Sequence, residues 1–271
     1  MNPAFAYIYD EFLADRRFER DLAFLETEVA RRGIEGRIVR LAMFRQPKDI
    51  IRDLVNANVK NIIFVGNDLT LEKMMWFLPD VDATFGFLPV MPGSMIAGML
   101  DIPNGAEAVN TLAARLIEWF DVGKINERYF FTEAVLPNTQ ASVDVEGQYR
   151  ISPAHGGAIA IRNLAGISGQ PGAAHPQDGR LEIVIQTKVR ENGMKFWQKS
   201  VLSESHVFLT HGAIQSEKSV EVIVDGQPLH GAHFSLSIVP HKIRLITGKQ
   251  KGWEPPREKK EVVPLARVTI S

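Results

Sequence analysis

Residues 62–75 constrain the fold of this chain most, because a continuous apolar run leads into a polar turn and then into an apolar helix start. The run Ile-Ile-Phe-Val at 62–65 is typical of a parallel strand that is buried on both faces. Gly66-Asn67-Asp68 then reads as a turn. In open α/β sheets, ligands bind beyond the carboxyl ends of strands, and the next helix offers free N–H groups to phosphate. The sequence therefore predicts a nucleotide site at this turn.

The first part of the chain, residues 1–119, alternates between strand and helix patterns. Apolar residues repeat at helical spacing in some segments and form short strand-like runs in others. The predicted strands are 5–9, 37–43, 61–65 and 84–90, and the predicted helices are 18–33, 47–55, 70–78 and 94–100. Short connections between them imply a parallel sheet with right-handed crossovers. We therefore expect a Rossmann-like lobe of the nucleotide-binding type.

From about residue 120 the pattern changes to short β-rich runs that are separated by Gly-containing turns. The predicted strands are 128–135, 157–164, 181–189, 195–202, 205–210, 219–224, 233–239 and 242–247. This predicts an antiparallel β-sandwich over residues 120–247, a lobe for a lipid or other substrate, and an α/β plus β fold class. Residues 248–271 are charged and contain two adjacent prolines, so we expect a tail, with a returning strand at 265–270 left open.

Composition excludes several classes of function. The net charge of −1 gives no general attraction to nucleic acid, and the absence of Cys excludes disulfides and thiolate metal sites. Neither a P-loop signature nor a G-x-S-x-G elbow is present. The first fifteen residues lack the basic start and apolar core of a signal peptide, so a cytoplasmic protein is expected. Prolines interrupt the uncharged stretch 83–100, so any membrane contact is expected to be peripheral.

Two segments of the first lobe resemble the diacylglycerol kinase catalytic domain, whose fold is shared by bacterial lipid kinases, sphingosine kinases and NAD kinases. Residues 66–71 are similar to the family's G-G-D-G-T-L turn, with Asn67 and Leu69 in place of two glycines. Residues 85–103 follow the frame L-G-I-I-P-L-G-T-x-N-D-F-A-x-x-L-x-I-P. Its polar centre differs, because Gly, Thr, Asn and Asp of the family are here Met91, Pro92, Ser94 and Met95.

The resemblance extends into the second lobe. Residues 120–126 are similar to the first strand of that lobe in the family, and residues 177–182 look like its D-D-G-x-L-D turn. Residues 224–227 are similar to a late V-D-G-E motif, whose Glu resembles a general base for the lipid hydroxyl. Here that position is Gln227, and an amide cannot accept a proton at physiological pH. The neighbouring carboxylate is Asp225.

The resemblance implies an ATP- and Mg²⁺-dependent kinase that phosphorylates a lipid hydroxyl. The nucleotide-binding positions that it implies are Gly66, Asn67, Asp68, Thr70, Gly93 and Ser94, and Asp178 takes an outer-shell magnesium role. Each residue also has a structural interpretation. Asp68 would complete the turn, Thr70 would cap helix 70–78, and Asp225 and Asp178 would form turns.

The altered positions lead us to expect that kinase activity is impaired or lost. The alternative is a non-catalytic protein that binds a lipid or nucleotide in the cleft between the lobes and acts as a sensor or partner subunit. No nucleic-acid partner is expected, and a homodimer is left open.

Overall fold

A computed structural model describes residues 4–41, 46–153, 157–164, 174–190 and 200–249. The first lobe is built from alternating strands and helices. In chain order these are β1 (Phe5–Tyr9), α1 (Glu19–Arg31), β2 (Arg37–Arg40), α2 (Pro47–Asn56), β3 (Asn61–Gly66), α3 (Asp68–Met75), β4 (Thr84–Pro89), α4 (Met95–Met99) and α5 (Ala106–Ala114). The four strands are parallel, as the sequence predicted, and they lie in the order β2-β1-β3-β4.

Burial explains why these segments form their elements. Every residue of β3 and β4 is buried, which accounts for their continuous apolar runs. Helix α1 buries Leu22, Leu25 and Val29, spaced three and four residues apart on one face. Strand β2 is largely exposed at the edge of the sheet.

The structure corrects two helix predictions in this lobe. Helix α3 begins at Asp68 rather than at residue 70, so the turn before it is shorter than expected. Helix α5 was not predicted at all. Its buried residues include the small Ala108, so the apolar stripe is weak in the sequence.

The second lobe consists of β5 (Leu116–Ile125), β6 (Arg128–Phe130), β7 (Glu133–Thr139), β8 (Ser142–Val145), β9 (Tyr149–Ile151), β10 (Gly157–Arg162), β11 (Leu181–Arg190), β12 (Ser200–Leu209), β13 (His211–Val224) and β14 (Gln227–Thr247). All pairings among these strands are antiparallel. This agrees with the α/β plus β fold class predicted from the sequence.

Several predicted strands are longer or joined in the structure. The predicted pair 233–239 and 242–247 is the single strand β14, and the predicted strands 195–202 and 205–210 fall on β12, with 195–199 outside the described residues. Strand β14 continues past Pro240 through an irregularity in its pairing with β5. Strands β8 and β9 were not predicted. A proline or a change of register interrupts the alternation of apolar and polar residues, but the strand continues through it.

Strand β14 connects the two lobes. Its end pairs in parallel with β4, and its middle and beginning pair with β5 and β13. Two hydrophobic clusters lie on either side: Ile243, Leu245 and Ile246 belong to the first, and Phe234 and Leu236 to the second. Hydrogen bonding is therefore continuous from one lobe into the other.

The division at residue 119 stays a prediction, because β5 runs across it and contributes Phe120 and Val122 to the first cluster. The expected strand at 265–270 lies outside the described residues. In the part of the chain that the structure describes, none of the helices has the length and apolar character needed to cross a bilayer.

Candidate functional site

The turn between β3 and α3 is closed by a reciprocal pair of hydrogen bonds. Asn67 Oδ1 accepts from the Thr70 backbone N–H at 3.2 Å, and Thr70 Oγ1 accepts from the Asn67 backbone N–H at 3.0 Å. This capping box makes Asn67 the helix cap, which corrects the assignment of that role to Thr70. A Cβ at Gly66 would lie 2.1 Å from Thr70 Oγ1, so only glycine fits before the cap.

Asp68 links the starts of two helices. Ser94 Oγ donates to Asp68 Oδ1, and the Met95 backbone N–H donates to Asp68 Oδ2 at 2.8 Å. Ser94 Oγ also accepts from the Ala97 backbone N–H at 3.0 Å and so caps α4. Asp68 is thus the first residue of α3 and a bridge to α4, rather than part of the turn. Two predicted site residues, Asp68 and Ser94, are brought into direct contact.

Thr70 is fully buried and faces the end of β1. Its hydroxyl donates to Asp10 Oδ2 at 2.7 Å, and Lys73 Nζ lies 3.5 Å from the same oxygen. Sequence reasoning missed Asp10, although an acidic residue directly after an apolar strand is a signal for the carboxyl end of a sheet.

Apolar side chains are exposed around the Asp68–Ser94 contact. Leu69 is 57% exposed, Met91 45% and Met95 39%. Gly93, which lies between the two methionines, has a positive φ of 84° with open space around it. A phosphate at this edge would meet an acidic carboxylate and apolar side chains instead of a row of glycine N–H groups.

Asp225 is held inside the second lobe. Its carboxylate accepts hydrogen bonds from Phe131 N (2.7 Å), Thr132 N (3.0 Å), Thr132 Oγ1 (2.6 Å) and Glu133 N (3.2 Å). Burial raises the pKa of Asp225, and these four hydrogen bonds oppose that rise. The residue forms the β13–β14 turn and anchors the start of β7.

Glu72 extends from α3 and meets that turn. One of its carboxylate oxygens lies 2.9 Å from the place that a Cβ on Gly226 would occupy. Burial raises the pKa of Glu72, and the nearby carboxylates of Asp225, Asp68 and Glu133 raise it further. Sequence reasoning missed this residue, because its position opposite Gly226 arises only from the packing of one lobe on the other.

Gln227 is the first residue of β14 and pairs with Val224 across the two-residue turn. It is half-buried beside Gly226, close to the place where Glu72 enters. The amide position predicted from the sequence therefore lies next to the contact between Glu72 and the turn, while its acidic neighbour Asp225 is bonded to residues 131–133.

Asp178 lies in the turn before β11, where its Oδ1 accepts from the Arg180 backbone N–H at 2.9 Å. Burial raises its pKa, and the adjacent Asp121 raises it further. The Asp121 carboxylate accepts from Gly179 N and His241 N, both at 2.8 Å. Over the described ranges, no group of three or more His, Cys, Asp or Glu is arranged to hold a metal ion. A magnesium role for Asp178 stays a prediction.

The residues present do not fit a magnesium nucleotide at the β3–α3 turn. Both oxygens of Asp68 accept protein donors, and the Thr70 hydroxyl bonds Asp10. The backbone N–H of Thr70, in the first turn of α3, is already capped by Asn67. We therefore derive no step through ATP or Mg²⁺.

A parallel α/β lobe joined to an antiparallel β lobe, with α3 meeting the β13–β14 turn, defines a lipid-kinase-like class of fold. No family model and no curated protein matches the sequence. Among solved structures, three described as diacylglycerol kinases of Bacillus anthracis str. Sterne match with TM-scores of 0.72, 0.69 and 0.70. Their identities to this chain are 16%, 18% and 17%, and each alignment covers 90% of this chain and 96%, 96% or 97% of the other. The resemblance seen in the sequence is thereby confirmed for the fold.

Proposed function

We propose that this chain is a lipid-kinase-like protein that binds a lipid or nucleotide in the cleft between its lobes without transferring a phosphoryl group. The bonding of Asp68 carries this proposal. Its two oxygens accept hydrogen bonds from Ser94 and Met95, so this acidic residue at the start of α3 serves to join α3 to α4. Each Asp68 oxygen already accepts one protein hydrogen bond, which leaves the carboxylate fewer acceptor sites for a magnesium-bound water.

The second lobe supports the same conclusion. Gln227 cannot accept a proton, and the buried Asp225 carboxylate is occupied by four donors. Loss of general base catalysis alone typically lowers a rate by about 10²- to 10⁴-fold. The loss of preorganised contacts to phosphate adds to that deficit.

The test combines binding and turnover. No phosphorylation of diacylglycerol, sphingosine or NAD should occur where an intact relative turns over, and calorimetry with magnesium-ATP shows whether the bound ligand is a nucleotide. The variant Gln227→Glu should recover little activity, because the β3–α3 turn is unchanged. Robust turnover by the wild-type chain would refute the proposal.

A second candidate is an active phosphotransferase that uses Glu72 as its base. The position of Glu72 against Gly226, the neighbour of Gln227, favours this candidate. Gln227 has no carboxylate, and Glu72 of α3 would supply one close to that position. If turnover is found, Glu72→Gln should abolish it and the exposed control Glu11→Gln should not. Unchanged turnover in Glu72→Gln would exclude this candidate.

A further inference from the structure

Strand β12 forms one edge of the sheet. Among the strands that the structure describes, it pairs with β11 alone, and this antiparallel pairing runs over all ten residues of β12 without a register shift. The backbone N–H and C=O groups on its outer side therefore have no strand beside them in the described part of the chain. A long, regular row of such groups is a template for pairing with another strand.

The opposite edge of the sheet is protected against such pairing, whereas β12 is not. Edge strand β2 has only four residues, with an arginine at each end. Short length, basic side chains and proline are features that keep edge strands from pairing with other chains. The sequence of β12, Ser-Val-Leu-Ser-Glu-Ser-His-Val-Phe-Leu, contains no Lys, Arg or Pro. Its length and composition therefore favour addition of another strand.

The sequence of β12 is complementary to itself when two copies run antiparallel. If Ser205 lies on the two-fold axis, Glu204 of each copy is directly opposite His206 of the other. The same register sets Phe208 opposite residue 202, which is a leucine. Cross-strand pairs of an acid with a base, and of two apolar residues, both stabilise a sheet. A two-fold axis repeats each of these pairs, so one register satisfies both copies.

The middle of β12 is accessible for these contacts. Residues 204–206 are exposed, and Phe208 is 40% exposed although its side chain is large and apolar. His206 Nδ1 lies 2.8 Å from Glu182 Oε1, whereas its Nε2 is 3.8 Å from Glu204 Oε2, which is too long for a hydrogen bond. His206 Nε2 can therefore bond the glutamate of a second copy while Nδ1 keeps its partner.

We propose that β12 is a dimerisation strand, which pairs antiparallel with β12 of a second copy of this chain about a two-fold axis at Ser205. The pairing extends the antiparallel sheet from one molecule into the next through about ten backbone hydrogen bonds. A single pair of strands buries less surface than the roughly 1,600 Å² of a standard stable interface, so the dimer is weak and depends on concentration. The proposal involves neither α3 nor the β13–β14 turn and is independent of the function proposed above.

Sedimentation velocity at a series of protein concentrations tests this dimer. The wild type should pass from monomer to dimer as its concentration rises. Ser205→Lys and Ser205→Asp should each raise the dissociation constant on the order of tenfold, because two like charges then face each other at the axis. An equimolar mixture of the two variants should restore the dimer, because Lys of one copy then faces Asp of the other.

The matched control is Ser219→Lys, which adds the same charge to an exposed serine of β13 and should leave the dissociation constant unchanged. Far-UV circular dichroism shows whether each variant folds, and Ser205→Asp provides the result if Ser205→Lys does not fold. The proposal is overturned if the wild type stays monomeric at every concentration, as it would if another segment of the chain covered this edge. It is also overturned if both Ser205 variants dimerise like the wild type, or if their mixture dimerises no better than either variant alone.

Discussion

Three acidic residues of this chain illustrate how neighbours decide the role of a carboxylate. Asp225 is saturated by four donors in the second lobe. Asp68 accepts two donors from the start of α4. Glu72, by contrast, lies half-buried among other carboxylates. The sequence marks all three as acidic, and only their surroundings show that Asp225 is an anchor, Asp68 a bridge and Glu72 a charged group between the lobes.

Replacing Asp225 with Ala should lower the free energy of unfolding by roughly 2–5 kcal/mol, because orphaned buried N–H donors cost about 1–3 kcal/mol each. Ala also tolerates the positive φ of 42° at this position less well than Asp. Urea denaturation measures the change. The matched control is Asp178→Ala, which removes a half-buried carboxylate that accepts one backbone hydrogen bond. It should lower the free energy of unfolding by less than about 1 kcal/mol. A loss no larger than that of the control would contradict the anchoring role.

Glu72→Gln should make stability less dependent on pH. A raised pKa means that folded Glu72 binds its proton more tightly than unfolded Glu72, so stability falls as pH rises from the ordinary value of 4.5 through the raised one. Gln removes the charge that faces Asp68, Asp225 and Glu133. The variant should be more stable than wild type at neutral pH and equally stable well below 4.5. Thermal unfolding measured across pH tests this, with the exposed Glu11→Gln as the control. Curves of stability against pH that run parallel for the wild type and Glu72→Gln would contradict it.

At the scale of elements, α3 and α4 are coupled through their first turns. Helix α4 has only five residues, so its start depends on Ser94 and on the carboxylate of Asp68. Short helices gain most of their stability from such tertiary contacts. The β3–α3 and β4–α4 connections therefore behave as one unit.

A double-mutant cycle tests that coupling. Asp68→Ala and Ser94→Ala should each cost about 0.5–2 kcal/mol, the usual range for loss of a helix cap. The double variant should cost less than the sum by at least about 0.5 kcal/mol, because both changes remove the same hydrogen bond. Asp68→Ala combined with Thr27→Ala on α1 is the control and should be additive. Additivity in both cycles would show that the two helices are independent.

Helices and strands were predicted well where their buried residues form a regular apolar pattern in the sequence. Strand β3 and helices α1 and α2 follow from their apolar residues alone. The start of α3 was misplaced, because an Asn-Asp pair suits either a turn or a helix cap. Helix α5 was missed, because alanine contributes little to an apolar stripe.

At the scale of the whole molecule, β14 makes the two lobes one hydrogen-bonded body. Its early residues Phe234 and Leu236 pack in the second cluster, and its late residues Leu245 and Ile246 pack in the first. Because β14 contributes side chains to both cores, unfolding of one core should unfold the other.

Leu236→Ala and Ile246→Ala should therefore each lower the midpoint of the same cooperative unfolding transition. Each change removes a buried aliphatic side chain, which typically costs about 2–5 kcal/mol. Tryptophan fluorescence and far-UV circular dichroism in urea should give coincident curves for the wild type and for both variants. Two separate transitions, each sensitive to only one substitution, would show that the lobes unfold independently.

The sequence by itself determined that a parallel α/β part precedes an antiparallel β part and that a polar turn follows β3, because hydrophobic periodicity and turn chemistry are local properties. The order of the parallel strands came from the tertiary structure. Tertiary structure alone decided which partners each acidic side chain meets. Asp10 meets Thr70 sixty residues away, and Glu72 meets the turn at Gly226 across the lobes. Such contacts depend on how separate elements pack against each other, so a local pattern in the sequence does not predict them.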